Sequence, residues 1–360
     1  MNHEQFLDRI NKMLRTKTKA CSSIMIPAAI FGVMLAAATA AAEPADLTRC
    51  EGLTNEGERL KCYDAAAGRT APAPNVDSSG QLEKEPLVQA AGAAPMTALS
   101  RRWEIDPETK QGVWLIRPYN QMFIMPARYS DGVNESPQSP TQPNNQIVDL
   151  KNIEAEFQIS FKAKVAENLF SNHADLWFGY TQQSQWQVYN ATVSRSFRET
   201  DYQPELFLVV PMRYNLFGLT GRFVQLSVMH QSNGQTNPLH RSWNRTYANF
   251  GFERGNFVLY VRPWYRFPET TGDDLNPDII RYMGYGDITV IYTWGRHEFS
   301  LLGRYNPGTS NGAAQGTWSF PIQGRLNGFV KIFTGYGETL IDYNFRQTTI
   351  GVGILLVRWL

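Results

Sequence analysis

The chain has almost no net charge. Thirty-four Lys and Arg balance 33 Asp and Glu in 360 residues, giving +1 at pH 7. That leaves no electrostatic case for a nucleic-acid partner. No H-E-x-x-H motif and no phosphate-binding P-loop occurs, so the familiar zinc-protease and nucleotide signatures are missing. After residue 42 no stretch approaches 18 consecutive apolar residues, which excludes transmembrane helices from the remainder. It does not exclude a membrane. Twelve per cent aromatic residues with a mean hydropathy of -0.35 suits a membrane barrel, where polar inward side chains cancel apolar outward ones.

Cysteine is also scarce, with three in the chain. Cys21 falls within residues 1–42, which read as a cleaved export signal. Arg15, Lys17 and Lys19 precede an apolar run from Ile24 to Ala38, and Ala40-Ala41-Ala42 precedes Glu43 as a small-residue cleavage site. A retained membrane helix is the alternative, disfavoured by Pro27 and the alanine-rich end. Cys50 and Cys62 remain, in CEGLTNEGERLKCYD. In an oxidising periplasm they form a disulfide closing a short loop; a metal pair would need further ligands, and none stands nearby. Residues 43–102 form a periplasmic segment, in which 63–100 are rich in Ala, Pro, Gly and Ser and read as a linker.

From Trp103 to Leu360 the texture changes to short alternating segments broken by Gly, Pro, Asn and Asp. At about 10 residues per membrane strand, plus connections, this length predicts an all-β antiparallel transmembrane barrel of about 12 strands. In 298–306 one parity holds Phe299, Leu301, Gly303 and Tyr305, and the other Ser300, Leu302, Arg304 and Asn306. The last segment sets Ile350, Val352, Ile354 and Leu356 against Thr349, Gly351 and Gly353. A soluble sandwich alternates too. Export, strand count and a strand reaching the C-terminus favour the barrel, although the chain ends Trp359-Leu360 rather than in an aromatic residue.

One segment breaks the pattern in an informative way. Val224, Leu226 and Val228 define a lipid-facing parity, and His230 and Ser232 continue it. Their i, i+2 spacing sets both on one face of a strand. In the following segment Ala248, Phe250 and Phe252 define the apolar parity, and Asn244 and Thr246 fall on it. The Gly- and Pro-bearing connection between them predicts a hairpin that brings Asn244 beside His230 near the membrane rim. A serine needs a base to take its proton as it attacks an ester, imidazole is such a base, and a third group fixes its tautomer. Polar residues are ordinary in the headgroup zone, which is the bland alternative. Gly308-Thr-Ser310-Asn-Gly312 matches G-x-S-x-G but lies in a turn, without the strand and helix that a nucleophile elbow requires. His173 and His297 read as surface residues, and Asp273, Asp274 and Asp278 as a solvated loop rather than a calcium site.

The segments HQSNG (230–234) and RSWNR (241–245) resemble the outer-membrane phospholipase A family. YTQQSQWQ (180–187), SFRETDYQPELF (196–207), NPDIIRYMGY (276–285) and GYGETLIDYNFRQTTIGVG (335–353) carry the same likeness, which covers about residues 150–355. The resemblance implies a twelve-stranded barrel in the bacterial outer membrane that acts on membrane phospholipids and lysophospholipids (A1, A2 and lysophospholipase activity), depends on calcium and works as a homodimer. It makes Ser232 the nucleophile, His230 the base and Asn244 its orienting partner, with the Gly234 N–H in the oxyanion hole. Calcium (Ca2+) would be held by the carbonyls of Gln235 and His240, with Ser194 contributed by the facing subunit. Gln182 matches a polar residue at the subunit contact. His240 replaces an expected hydroxyl residue, and imidazole is a poor substitute for a hard oxygen ligand. The rival reading is a passive outer-membrane pore, which has no need of Ser, His and Asn on its lipid face.

Overall fold

The computed structural model describes Cys50, Leu53, residues 55–66 and residues 96–360; the export segment 1–42 lies outside the described residues. The chain divides into two compact units, 1–93 and 94–360. In the first, helix α1 (Glu56–Ala66) opens at Asn55, whose Oδ1 accepts from the Gly57 N–H at 2.9 Å. Cys62 on this helix is disulfide-bonded to the buried Cys50, as expected of an exported chain, with Cα atoms 5.6 Å apart.

The second unit begins inside the stretch of linker composition. Helix α2 (Ala98–Trp103) starts there because the Thr97 hydroxyl caps it, accepting from the Ser100 N–H at 3.1 Å. Leu99 and Trp103, four residues apart, share one face and are both buried.

Thirteen strands follow. They are β1 (Ile116–Pro118), β2 (Met122–Ser130), β3 (Ile153–Asn168), β4 (Ala174–Trp186), β5 (Glu199–Leu216), β6 (Leu219–Ser232) and β7 (Ser242–Arg254). Then come β8 (Phe257–Arg266), a short helix α3 (Ile279–Met283), β9 (Gly286–Trp294), β10 (His297–Asn306), β11 (Asn311–Gln323), β12 (Leu326–Tyr336) and β13 (Arg346–Val357). Each strand from β2 to β13 pairs antiparallel with its neighbour, and β13 pairs back to β2, closing a 12-strand barrel. Closure leaves no unpaired edge, a condition for a sheet in hydrocarbon. The short β1 lies against β3 on the side that β2 occupies further up, so β1 and β2 are one barrel position interrupted at 119–121.

The alternation of the sequence becomes outside and inside. Leu226, Val228, Leu301, Ile332, Ile350 and Val352 are exposed on the outer wall, whereas Ser300, Asn306 and Thr349 on the opposite parity are buried. The lumen holds two packed plugs. At the end with short turns, Trp103 from α2 meets Tyr119, Phe207, Phe223 and Tyr260, and the buried Lys162 ammonium sits 3.7 Å from its ring centroid. At the end with long loops, segment 337–345 folds inward and buries Leu340, Ile341 and Tyr343. Its backbone is tied to barrel carboxylates, the Ile341 N–H donating to Glu199 at 3.1 Å and the Leu340 N–H to Asp201 at 3.1 Å. Arg128 bridges Glu154 (2.7 Å) and Glu338, Lys331 joins Glu338 (3.0 Å) and Glu156, and Arg198 joins Glu154 and Asp342, both at 3.0 Å. Such charges persist away from water because each has opposite partners.

Candidate active site on the outer wall of the barrel

Strand β6 ends at Ser232 and β7 begins at Ser242, so the site lies at the long-loop end. The hairpin register pairs His230 directly with Asn244 and Ser232 with Ser242. His230 is exposed and Ser232 and Asn244 half-buried, all on the parity that carries Leu226 and Val228. The expected juxtaposition is therefore present: His230 Nδ1 lies 2.8 Å from Asn244 Oδ1. With Nδ1 engaged, Nε2 is the ring nitrogen left for Ser232, two residues along the same face. The opposite parity fixes this part of the wall from within. Gln231 Oε1 accepts from Trp243 Nε1 and from Arg245 Nη1, both at 3.1 Å, and the Arg245 guanidinium lies 4.0 Å from the Trp243 ring centroid. A site built on strands locked by such contacts holds its geometry better than one on a free loop.

The connection 233–241 is organised around the buried Asn233. Its Oδ1 accepts from the Arg241 N–H at 2.9 Å, its Nδ2 donates to the Leu239 carbonyl at 2.9 Å, and its own N–H donates to the Arg241 carbonyl at 3.0 Å. Gly234, next to it, has φ +63°, and a Cβ there would lie 3.1 Å from the Tyr202 ring. Glycine is thus favoured on both conformational and steric grounds. The Gln235 side chain turns inward, donating to the Arg198 carbonyl at 3.1 Å and to the Glu199 carboxylate at 2.5 Å. The His240 carbonyl accepts from Arg241 Nη1 at 2.7 Å. Burial, with Arg241 and His230 nearby, holds the His240 imidazole below its usual pKa.

Ser194 stands on the neighbouring loop, its carbonyl accepting from Trp186 Nε1 at 2.7 Å. Gln182 faces outward on β4. Its register partner on β5 is Tyr202, which in turn pairs with Ser232, so the three form one row across the wall. Tyr180 donates to Gln182 Oε1 at 2.9 Å.

The residues set aside earlier have structural duties. Ser310 closes the turn between β10 and β11 at φ +58°, and the chain runs from strand to strand there rather than from strand into helix. Asp274 pairs with Arg266 at 2.6 Å, Asp273 accepts from Thr270, and Asp278 accepts from Tyr343. His297 stacks with Trp318, which is parallel to Phe299, in an aromatic cluster at the short-turn end.

Sequence reasoning missed one neighbour. Asn244 Nδ2 donates to Glu269 Oε1 at 3.1 Å. Glu269 lies three residues beyond β8, brought alongside because the Phe267 N–H donates to the Asn244 carbonyl at 2.9 Å and prolongs the pairing. Partial burial raises the Glu269 carboxyl pKa, opposed by Arg266 and by the Asn244 bond.

A sequence model described as Phospholipase A1 matches residues 99–356. A protein of Neisseria meningitidis serogroup B is 40% identical over 344 residues, which is 85% of this chain and 90% of the relative. The solved structure of outer membrane phospholipase A from Escherichia coli is similar at 34% identity and a TM-score of 0.62, over 69% of this chain and 100% of that one. An active-site mutant of it, with an asparagine changed to alanine, is similar at 33% identity. The Salmonella typhi outer membrane phospholipase, solved as a dimer with bound calcium, gives 33% identity and a TM-score of 0.64 over 72% of this chain and 98% of that one.

Proposed function

Because the chain belongs to the phospholipase A1 family, we propose that Ser232, His230 and Asn244 carry out its ester hydrolysis. The protein is an outer-membrane phospholipase, a hydrolase of phospholipid ester bonds. The observation that carries the reading is the 2.8 Å contact of His230 Nδ1 with Asn244 Oδ1 on a lipid-facing wall, with Ser232 on the same face. In support, the mutated active-site residue of the E. coli relative is also an asparagine.

His230 Nε2 takes the Ser232 proton as Oγ attacks the acyl carbonyl carbon. The Gly234 N–H donates to the oxygen as it gains charge. Collapse of the tetrahedral intermediate expels the glycerol-side oxygen, to which His230 returns the proton. Water then attacks the acyl-Ser232 ester with His230 again as base, releasing the fatty acid and restoring Ser232. The outward site shows the ester no enclosing wall, so we extend the reading to both glycerol positions and to lysophospholipids.

Calcium is the cofactor of this proposal, as the Salmonella relative binds it. The donors fit in kind. With its side chain anchored inward, Gln235 offers a backbone carbonyl, and the His240 carbonyl has a second lone pair beside the one that Arg241 engages. These two and Ser194 of a second copy would hold the ion. When bound, it supplies positive charge for the oxyanion next to Gly234. The same ligand set implies a homodimer, with Gln182 at the contact.

A pore is the weaker reading because the Trp103 cluster and segment 337–345 occupy the lumen from both ends. A serine-directed phosphonate tests the assignment. The account expects one adduct, located by mass spectrometry on Ser232, formed in step with loss of hydrolysis. An adduct on Ser310 or another serine that tracks inactivation would overturn it.

A further inference from the structure

Asn244 is chemically ambiguous. Its amide presents an acceptor at one end and a donor at the other, and a half-turn exchanges them. With the nitrogen toward His230, the ring would have to accept at Nδ1, carry its proton on Nε2 and lose the lone pair that a base needs. The amide therefore has to be held one way round. Asn244 alone does not choose.

The second contact of the amide makes the choice. Asn244 Nδ2 lies 3.1 Å from Glu269 Oε1, and a carboxylate only accepts. The nitrogen end is thus drawn to Glu269 and the oxygen end to His230, which assigns the proton to Nδ1 and the free lone pair to Nε2. We propose that Glu269 is a positioning residue of the reaction, which fixes the His230 tautomer through Asn244 and adds a carboxylate to the far end of the Ser232–His230–Asn244 array. The proposal rests on the catalytic reading above and deepens it.

The charge has a further consequence. An asparagine stabilises imidazolium less than a carboxylate does. A carboxylate bound to Nδ2 polarises the amide, so Oδ1 becomes a better acceptor as His230 gains its proton. Against the hydrocarbon-facing wall, where screening is poor, that second-hand charge counts for more than it would in water. Glu269 is itself held in place. Pairing extends past β8 through Phe267, and Arg266, salt-bridged to Asp274 at 2.6 Å, faces it from its own segment. His240 is the other titratable group within electrostatic reach of His230.

The experiment introduces Glu269→Gln into three backgrounds, measuring kcat and KM for phospholipid hydrolysis with heat-modified gel mobility as the check on folding. In the wild type, kcat should fall about five- to tenfold at unchanged KM, the scale of one hydrogen bond's net contribution. In Asn244→Ala the same change should do nothing, because the relay is already cut. In Asn244→Asp it should raise kcat, since two carboxylates would otherwise compete side by side while the Gln amide can donate. Glu269→Ala should match Glu269→Gln or be worse in the wild type. An equal fractional loss in all three backgrounds would overturn the proposal in favour of a merely structural role, as would no loss in the wild type. Ser232→Ala separates the two levels: if it keeps activity, the catalytic reading itself fails, whatever Glu269 does.

Discussion

His230 and Asn244 face each other across a hydrogen-bonded hairpin, yet the proposed mechanism gives them unequal roles. In the proposed mechanism the ring moves protons in both half-reactions, whereas the amide only holds the ring. His230→Ala should therefore lower kcat about a thousandfold, the usual scale for a lost general base. Asn244→Ala should cost about tenfold, the worth of one orienting hydrogen bond to a group that becomes charged. Steady-state hydrolysis of dispersed phospholipid checks this, and equal losses would mean that Asn244 takes part in proton transfer. At this scale the sequence was informative where it broke its own rule: a His, a Ser and an Asn on lipid-facing parities are visible without coordinates. Glu269 was not. It follows Pro268 in a loop with no period, and nothing in PETTGDD tells an amide-anchoring carboxylate from a solvated one.

In the connection 233–241 one buried side chain organises the backbone groups to which the proposed mechanism assigns roles. Asn233 spans its two ends, so the Gly234 N–H and the carbonyls of Gln235 and His240 are set by one buried amide. The imidazole at 240 adds no hard oxygen to the proposed calcium set. His240→Ser should reach half-maximal activity at lower calcium, read from a titration of hydrolysis; an unchanged requirement would remove the side chain from the ligand argument. The hairpin itself was legible, because period-2 alternation on both sides of a Gly/Pro connection leaves few registers open. The inward fold of 337–345 was not, since its placement depends on Glu199, Asp201 and Arg198, contributed by distant elements. Helix α2 was hidden for another reason: its capping Thr97 lies at the end of an Ala- and Pro-rich tract whose composition reads as linker.

Across the whole molecule, the barrel separates two tasks. The lumen gathers paired charges and aromatic plugs that fix the wall from inside, and the wall carries the proposed reacting groups outward toward lipid. Strand count and closure were readable from segment length and alternation, because a strand that crosses hydrocarbon must be long and must find a partner on both edges. The filled lumen was not, because inward polar residues look the same in a conduit and in a plugged barrel. A site on the outer wall, as proposed, would need neither a pocket nor a channel, because the substrate would be the membrane itself. It also leaves the Gln182–Tyr202–Ser232 row open to a second barrel, where the proposed shared calcium would bind. The most direct measurement compares hydrolysis of phospholipid bilayers by the wild type and by Ser232→Ala, both shown to be folded by heat-modified gel mobility. The account predicts fatty-acid release by the wild type and none above background by the variant; turnover retained in a folded Ser232→Ala barrel would contradict it.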